Sequence, residues 1–89
     1  MMGDIPEADQ TPPPAPSKLK LKKNGDQGIL KWEASEEDTP GSWVVAYHIY
    51  YDGTLLAKAY GTQYTFQATG QKRKKFKVKA INATGVESL

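Results

Sequence analysis

The stretch Lys74-Lys75-Phe76-Lys77-Val78-Lys79-Ala80-Ile81-Asn82-Ala83-Thr84-Gly85 decides the fold. Phe76, Val78 and Ala80 alternate with Lys75, Lys77 and Lys79, and the run stops at Asn82-Ala83-Thr84-Gly85. Successive side chains of a strand point to opposite faces, so this alternation predicts a half-buried β-strand. One face goes to a core, and the other carries the lysines into water.

The same pattern recurs upstream in short segments separated by turn residues at intervals of about 8–12 residues, which predicts a sandwich or barrel. Lys18-Leu19-Lys20-Leu21-Lys22 alternates, and Asn24-Gly25 follows as a turn. Ile29 to Trp32 pairs back as a second strand with Leu30 and Trp32 inward. An acidic loop from Glu33 to Gly41 leads to a third strand over about Val44 to Tyr51. Tyr47, Ile49 and Tyr51 share its core face, with His48 and Tyr50 on the other. Asp52-Gly53 turns the chain into a short strand at Leu55 to Ala59. Gln63 to Ala68 is the next, with Tyr64 and Phe66 inward. The basic turn Thr69 to Arg73 then precedes the opening strand, and the residues after Gly85 are too few for a full last strand.

Composition allows one small globular domain: 89 residues, 38% hydrophobic and 25% charged. A net charge of +2 is too small to imply a specific nucleic-acid partner. With no cysteine and one histidine, disulfides and Cys/His zinc clusters cannot be built within one chain, and no cofactor is implied. No apolar run reaches the roughly 18–20 residues of a membrane span, so no membrane insertion is expected, and the N-terminus lacks the apolar core of a signal peptide. Residues 1–16 hold five of the six prolines and read as a disordered linker. TPPPAP lacks the basic neighbour of an SH3 ligand.

From residue 14 to residue 89 the chain resembles the fibronectin type III domain. The resemblance rests on the proline-rich entry, Leu19 and Leu21, Trp32, Tyr47-His48-Ile49-Tyr50, Phe76-x-Val78-x-Ala80-x-Asn82, and then Gly85 and Ser88. Tyr47-x-Ile49-Tyr50-x-Asp52-Gly53-Thr54 followed by Gly61-Thr62-x-Tyr64-Thr65 looks most like versions from bacterial multidomain proteins and phage structural proteins. The resemblance implies an immunoglobulin-like, seven-stranded antiparallel β-sandwich over residues 17–89, cut from a larger protein. The chain departs from the family pattern in two places: its final strand is short, and Lys74 stands where the family places a tyrosine that closes the corner before the opening strand. A looser or differently built corner is expected there.

Catalysis needs convergent groups on a concave surface. His48 is the single imidazole and falls on a solvent face, so no catalytic residue is assigned. Glu36-Glu37-Asp38 lacks the spaced oxygen ligands of a calcium loop, so no metal ligand is assigned. The lysine stripe Lys75, Lys77 and Lys79, with Tyr50 on the neighbouring strand, could hold a polyanion. The plainer reading is a face kept soluble and unpaired by its charges. The loop after the strand has no Arg-Gly-Asp, and its Asn82-Ala83-Thr84 sequon is read as coincidence. Trp43 either staples the acidic loop to the sandwich or offers a sugar- or protein-contact ring.

The resemblance implies a non-catalytic spacer or accessory module whose partners are neighbouring domains of the same polypeptide. The setting it implies is extracellular, at the cell surface or in a virion: a phage tail protein or a carbohydrate-active enzyme. The alternative is a module weakly binding cell-surface polysaccharide, polyanion or protein through Tyr50 and the lysines, or through the Trp43 loop.

Overall fold

The computed structural model describes residues 12–34 and 44–88. Trp43, the Glu36-Glu37-Asp38 run, Leu89 and most of the proline-rich stretch lie outside them. Six strands follow in order: β1 (Ser17–Asn24), β2 (Gln27–Glu33), β3 (Val44–Tyr51), β4 (Thr54–Ala59), β5 (Gln63–Gln67) and β6 (Phe76–Asn82). All pair antiparallel, in two three-stranded sheets of order β1-β2-β5 and β4-β3-β6.

The expected sandwich is present with six strands among the described residues rather than seven. Beyond β6 the chain makes only an isolated bridge, Ile81 to Glu87. Between β6 and that bridge lies a turn at Asn82–Gly85. Its geometry comes from Asn82, whose Oδ1 accepts from the Thr84 amide at 3.1 Å, the Thr84 hydroxyl at 2.8 Å and the Val86 amide at 2.9 Å. Ser88 then ties back to Ala80: its amide donates to the Ala80 carbonyl, and its Oγ accepts from the Ala80 amide, each at 2.8 Å.

Alternation sets the core. Leu30, Trp32, Tyr47, Ile49, Phe76 and Ala80 are buried, and Leu19, Leu21, Tyr51, Tyr64, Phe66 and Val78 are partly buried against them. Apolar burial of this kind is the main favourable term in folding. An aromatic edge joins the layers where Trp32 meets Tyr47 at 5.4 Å, and a second, Tyr51 against Phe76 at 4.6 Å, lies within the second sheet; both are T-shaped. The proline-rich entry contributes too. Pro13 is buried, and Ala15 and Pro16 line a cleft of about 250 Å³ with Leu19, Trp32, Phe76 and Val78.

Two local features fix the register. Asp52 and Gly53 both take positive φ, 51° and 84°, the conformation that a two-residue hairpin between right-twisted strands requires. Gly28 is buried opposite Phe66, and a Cβ built there would lie 2.7 Å from Phe66 Cε2. Only glycine leaves room for that ring.

The alternating run does not stay extended over its whole length. Arg73–Lys75 forms a 3-10 turn, and β6 begins at Phe76. Lys75 therefore belongs to the corner rather than to the strand face where alternation placed it. The Lys75 amide bonds the Lys72 carbonyl at 3.0 Å, and its own carbonyl accepts from the Asp52 amide at 2.9 Å, which curls this segment back toward the β3–β4 hairpin.

Candidate functional site

Strand parity puts His48 and Tyr50 of β3 on the outer face of the second sheet. Register brings Lys79 opposite His48 and Lys77 opposite Tyr50 on β6, and Lys58 of β4 lies opposite His48 on the other side. Of the residues singled out from sequence, Tyr50, Lys77 and Lys79 thus share one face. Lys75 does not join them, and Trp43 lies outside the described residues.

The residue that organises this face is Glu87. Its bridge to Ile81 places it beside β6, and its carboxylate reaches back across the sheet. Glu87 Oε2 accepts from His48 Nδ1 at 2.7 Å and also from the Tyr50 hydroxyl, while Oε1 lies 3.9 Å from Lys79 Nζ. An ionised carboxylate can only accept, so the imidazole carries its proton on Nδ1. Lys79 Nζ also sits 5.5 Å from the Tyr50 ring centroid, a cation–π contact. The side chains of His48, Glu87 and Lys79 are 23%, 29% and 28% exposed.

These contacts correct the picture of three lysines reaching into water. Lys77 does so, but Lys79 is drawn down between a ring and a carboxylate. The same contacts set the titration of the cluster. Hydrogen bonds from Tyr50 and His48, with the charge of Lys79, hold the Glu87 carboxyl below its ordinary range. The bond to Glu87, together with desolvation and the nearby negative charge, pushes the Tyr50 phenol up. Chemically the arrangement is a carboxylate latch holding the segment after Gly85 onto the sheet. Sequence reasoning passed over Glu87, although one signal was available: it is the single acidic residue after Asp52.

The rest of the sheet edge is more open. Leu55 and Leu56 of β4 are exposed, and Tyr60 is 77% exposed with Lys58 Nζ 5.4 Å from its ring centroid. Asn82 of the sequon is 4% exposed, and its side chain builds the turn. Among the described residues, no group of three or more His, Cys, Asp or Glu side chains is placed to hold a metal ion. Among them, too, no helix is long and apolar enough to cross a membrane.

No protein-family model and no curated protein matches the chain. Solved structures do. The central fibronectin-III array of a RIM-binding protein superimposes with a TM-score of 0.66 at 20% identity, covering 85% of this chain and 31% of that one. The spore cortex lytic enzyme SleM of Clostridium perfringens gives 0.66 at 19% identity, covering 86% of this chain and 26% of that one. The fold is that of a fibronectin type III domain, as the sequence pattern implied. The chain spans about a third or less of each of these two proteins.

Proposed function

We propose that the chain is a non-catalytic accessory module that spaces and orients neighbouring domains of a larger bacterial or phage protein, such as a tail component or an extracellular carbohydrate-active enzyme. The observation that carries this reading is the match itself: one sandwich-sized share, 31% or 26%, of longer multidomain chains, one of them an array of such domains. The site geometry agrees with it. Glu87 satisfies His48, Tyr50 and Lys79 internally, so the most elaborate polar cluster on the described surface serves to close the fold. A fold alone does not carry a function, and the reading rests on this site-level saturation as much as on the likeness.

The test is a module swap in the parent polypeptide. Replacing residues 17–89 with an unrelated β-sandwich of similar end-to-end length should preserve the separation of the flanking domains by small-angle scattering, and their activity on a small soluble substrate. Deleting the module should shorten the separation. Loss of that soluble activity on the swap, with the separation preserved, would sink the spacer reading.

A further inference from the structure

The outer face of the first sheet carries a feature that the latch on the second sheet does not explain. Register places Lys20 of β1 directly opposite Lys31 of β2, and Lys22 opposite Ile29. These four residues line a hollow of about 240 Å³, with the three lysines exposed around a partly buried isoleucine. Like charges directly opposite one another on a sheet are destabilising. None of the three ammonium groups makes an ion pair with a described carboxylate: Glu33 pairs with Lys18 at 3.6 Å, and Glu87 is taken up on the other sheet.

The imbalance extends over the whole described unit. All twelve Lys and Arg residues fall within the described residues, against four carboxylates, Asp26, Glu33, Asp52 and Glu87. The other six acids of the sequence lie outside the described residues. On this sheet no described carboxylate pairs with these three lysines.

Beyond the lysines the same face turns neutral and amide-rich. Asn24, Gln27 and Gln67 form one cross-strand row, and Thr65 sits beside Ile29 in the next. A second hollow of about 410 Å³ lies at this end, lined by Asp26, Gln27, Thr65, Phe66 and Gln67. Side-chain amides and a hydroxyl both donate and accept, which suits the hydroxyl groups of a sugar chain. The aromatic residues of this sheet, Trp32, Tyr64 and Phe66, have inward parity, and Phe66 alone among them borders this hollow, so the face offers no row of rings on which successive bases could stack.

We propose that the outer face of the β1-β2-β5 sheet binds an acidic polysaccharide, with its anionic groups on Lys20, Lys22 and Lys31 and its hydroxyls on the neighbouring amide row. This role adds to spacing and does not depend on it. The face is the one opposite to the lysine stripe that sequence alternation first suggests.

The test is a 15N NMR titration of the 89-residue chain at physiological ionic strength. The probes are heparin hexasaccharide for sulfate, oligogalacturonate for carboxylate, dextran as a neutral sugar and oligothymidylate as a nucleic acid. The expected result is a set of amide shifts confined to Lys20, Lys22, Lys31, Gln27 and Gln67, with at least one acidic sugar and not with dextran. Lys20→Gln/Lys22→Gln/Lys31→Gln should weaken that binding by about tenfold or more, whereas the charge-matched Lys58→Gln/Lys74→Gln/Lys77→Gln should stay within about twofold. Equal loss in both triple variants, shifts centred on Lys77 and Lys79, binding of oligothymidylate as tight as that of the sugars, or uniform silence would each overturn the proposal. The wild-type shift map stands whether or not the variants fold.

Discussion

The amide of Lys72 donates to the hydroxyl of Tyr51 at 3.1 Å, joining the corner before β6 to the end of β3, 21 residues away in sequence. The family pattern would close this corner with a tyrosine at the place of Lys74, and Lys74 is exposed on the 3-10 turn. A tyrosine hydroxyl still ties down the corner backbone, but it is supplied from the neighbouring strand. The Tyr51 ring keeps its place by packing edge-on against Phe76. Tyr51→Phe keeps that packing and removes only the hydroxyl, so it should cost about 0.5–1.5 kcal/mol in chemical denaturation. Lys74→Ala should stay within about 0.5 kcal/mol of wild type. A larger loss at Lys74 than at Tyr51 would reverse the assignment.

The Glu87 latch makes stability depend on pH at the acid end. Its carboxyl is held below the ordinary value of 4.5, so the stabilisation is fully present above that value and is lost as pH falls through the lowered one. The Tyr50 phenol is raised above 10.0, so its share is present below that pH and is lost as pH climbs through the raised value. Glu87→Gln should cost about 1 kcal/mol at neutral pH, a modest figure because the cluster is partly solvated. It should also flatten the acid limb of melting temperature against pH. An acid limb of unchanged slope in Glu87→Gln would place that dependence on other carboxylates.

Period-two alternation was enough to place the strands and to turn Leu30, Trp32, Tyr47, Ile49, Phe76 and Ala80 inward, because those properties are local to each strand. Alternation failed at Lys75, where the backbone curls to pair with Lys72 and Asp52 before the strand begins. The contacts that define the surfaces depend on register between strands. Glu87 meets His48 across 39 residues, and Lys20 faces Lys31 only because of how the β1–β2 hairpin aligns. Each of these lysines reads locally as one more solvated charge. Their grouping emerges with the sheet.

Gly28 should tolerate no side chain. An added Cβ would meet the Phe66 ring, which packs on Phe76 at 5.2 Å. Gly28→Ala should therefore destabilise by about 1–3 kcal/mol through overpacking. Trimming the ring should relieve it: the double variant Gly28→Ala/Phe66→Leu should lose less than the sum of the two single variants. Strict additivity in that cycle would mean that the two positions do not meet.

Asn82 gives the last prediction, because the turn it builds is what delivers Glu87 to the sheet. Removing Oδ1 leaves the amides of Thr84 and Val86 without that acceptor, and Asn82 is buried, so Asn82→Ala should cost about 1–3 kcal/mol. The more telling readout is remote. With the Val86 amide freed and only its carbonyl still held by the Asn82 backbone amide at 3.2 Å, Glu87 should spend less time against Tyr50 and His48, and its carboxyl pKa, followed by 13C NMR, should rise toward the ordinary 4.5. Asn82→Asp keeps an oxygen acceptor at the same place and should hold the Glu87 pKa closer to wild type than alanine does. If alanine lowers stability while the Glu87 pKa stays where it was, the turn and the latch are separate devices, and the bridge from Ile81 to Glu87 alone positions the carboxylate.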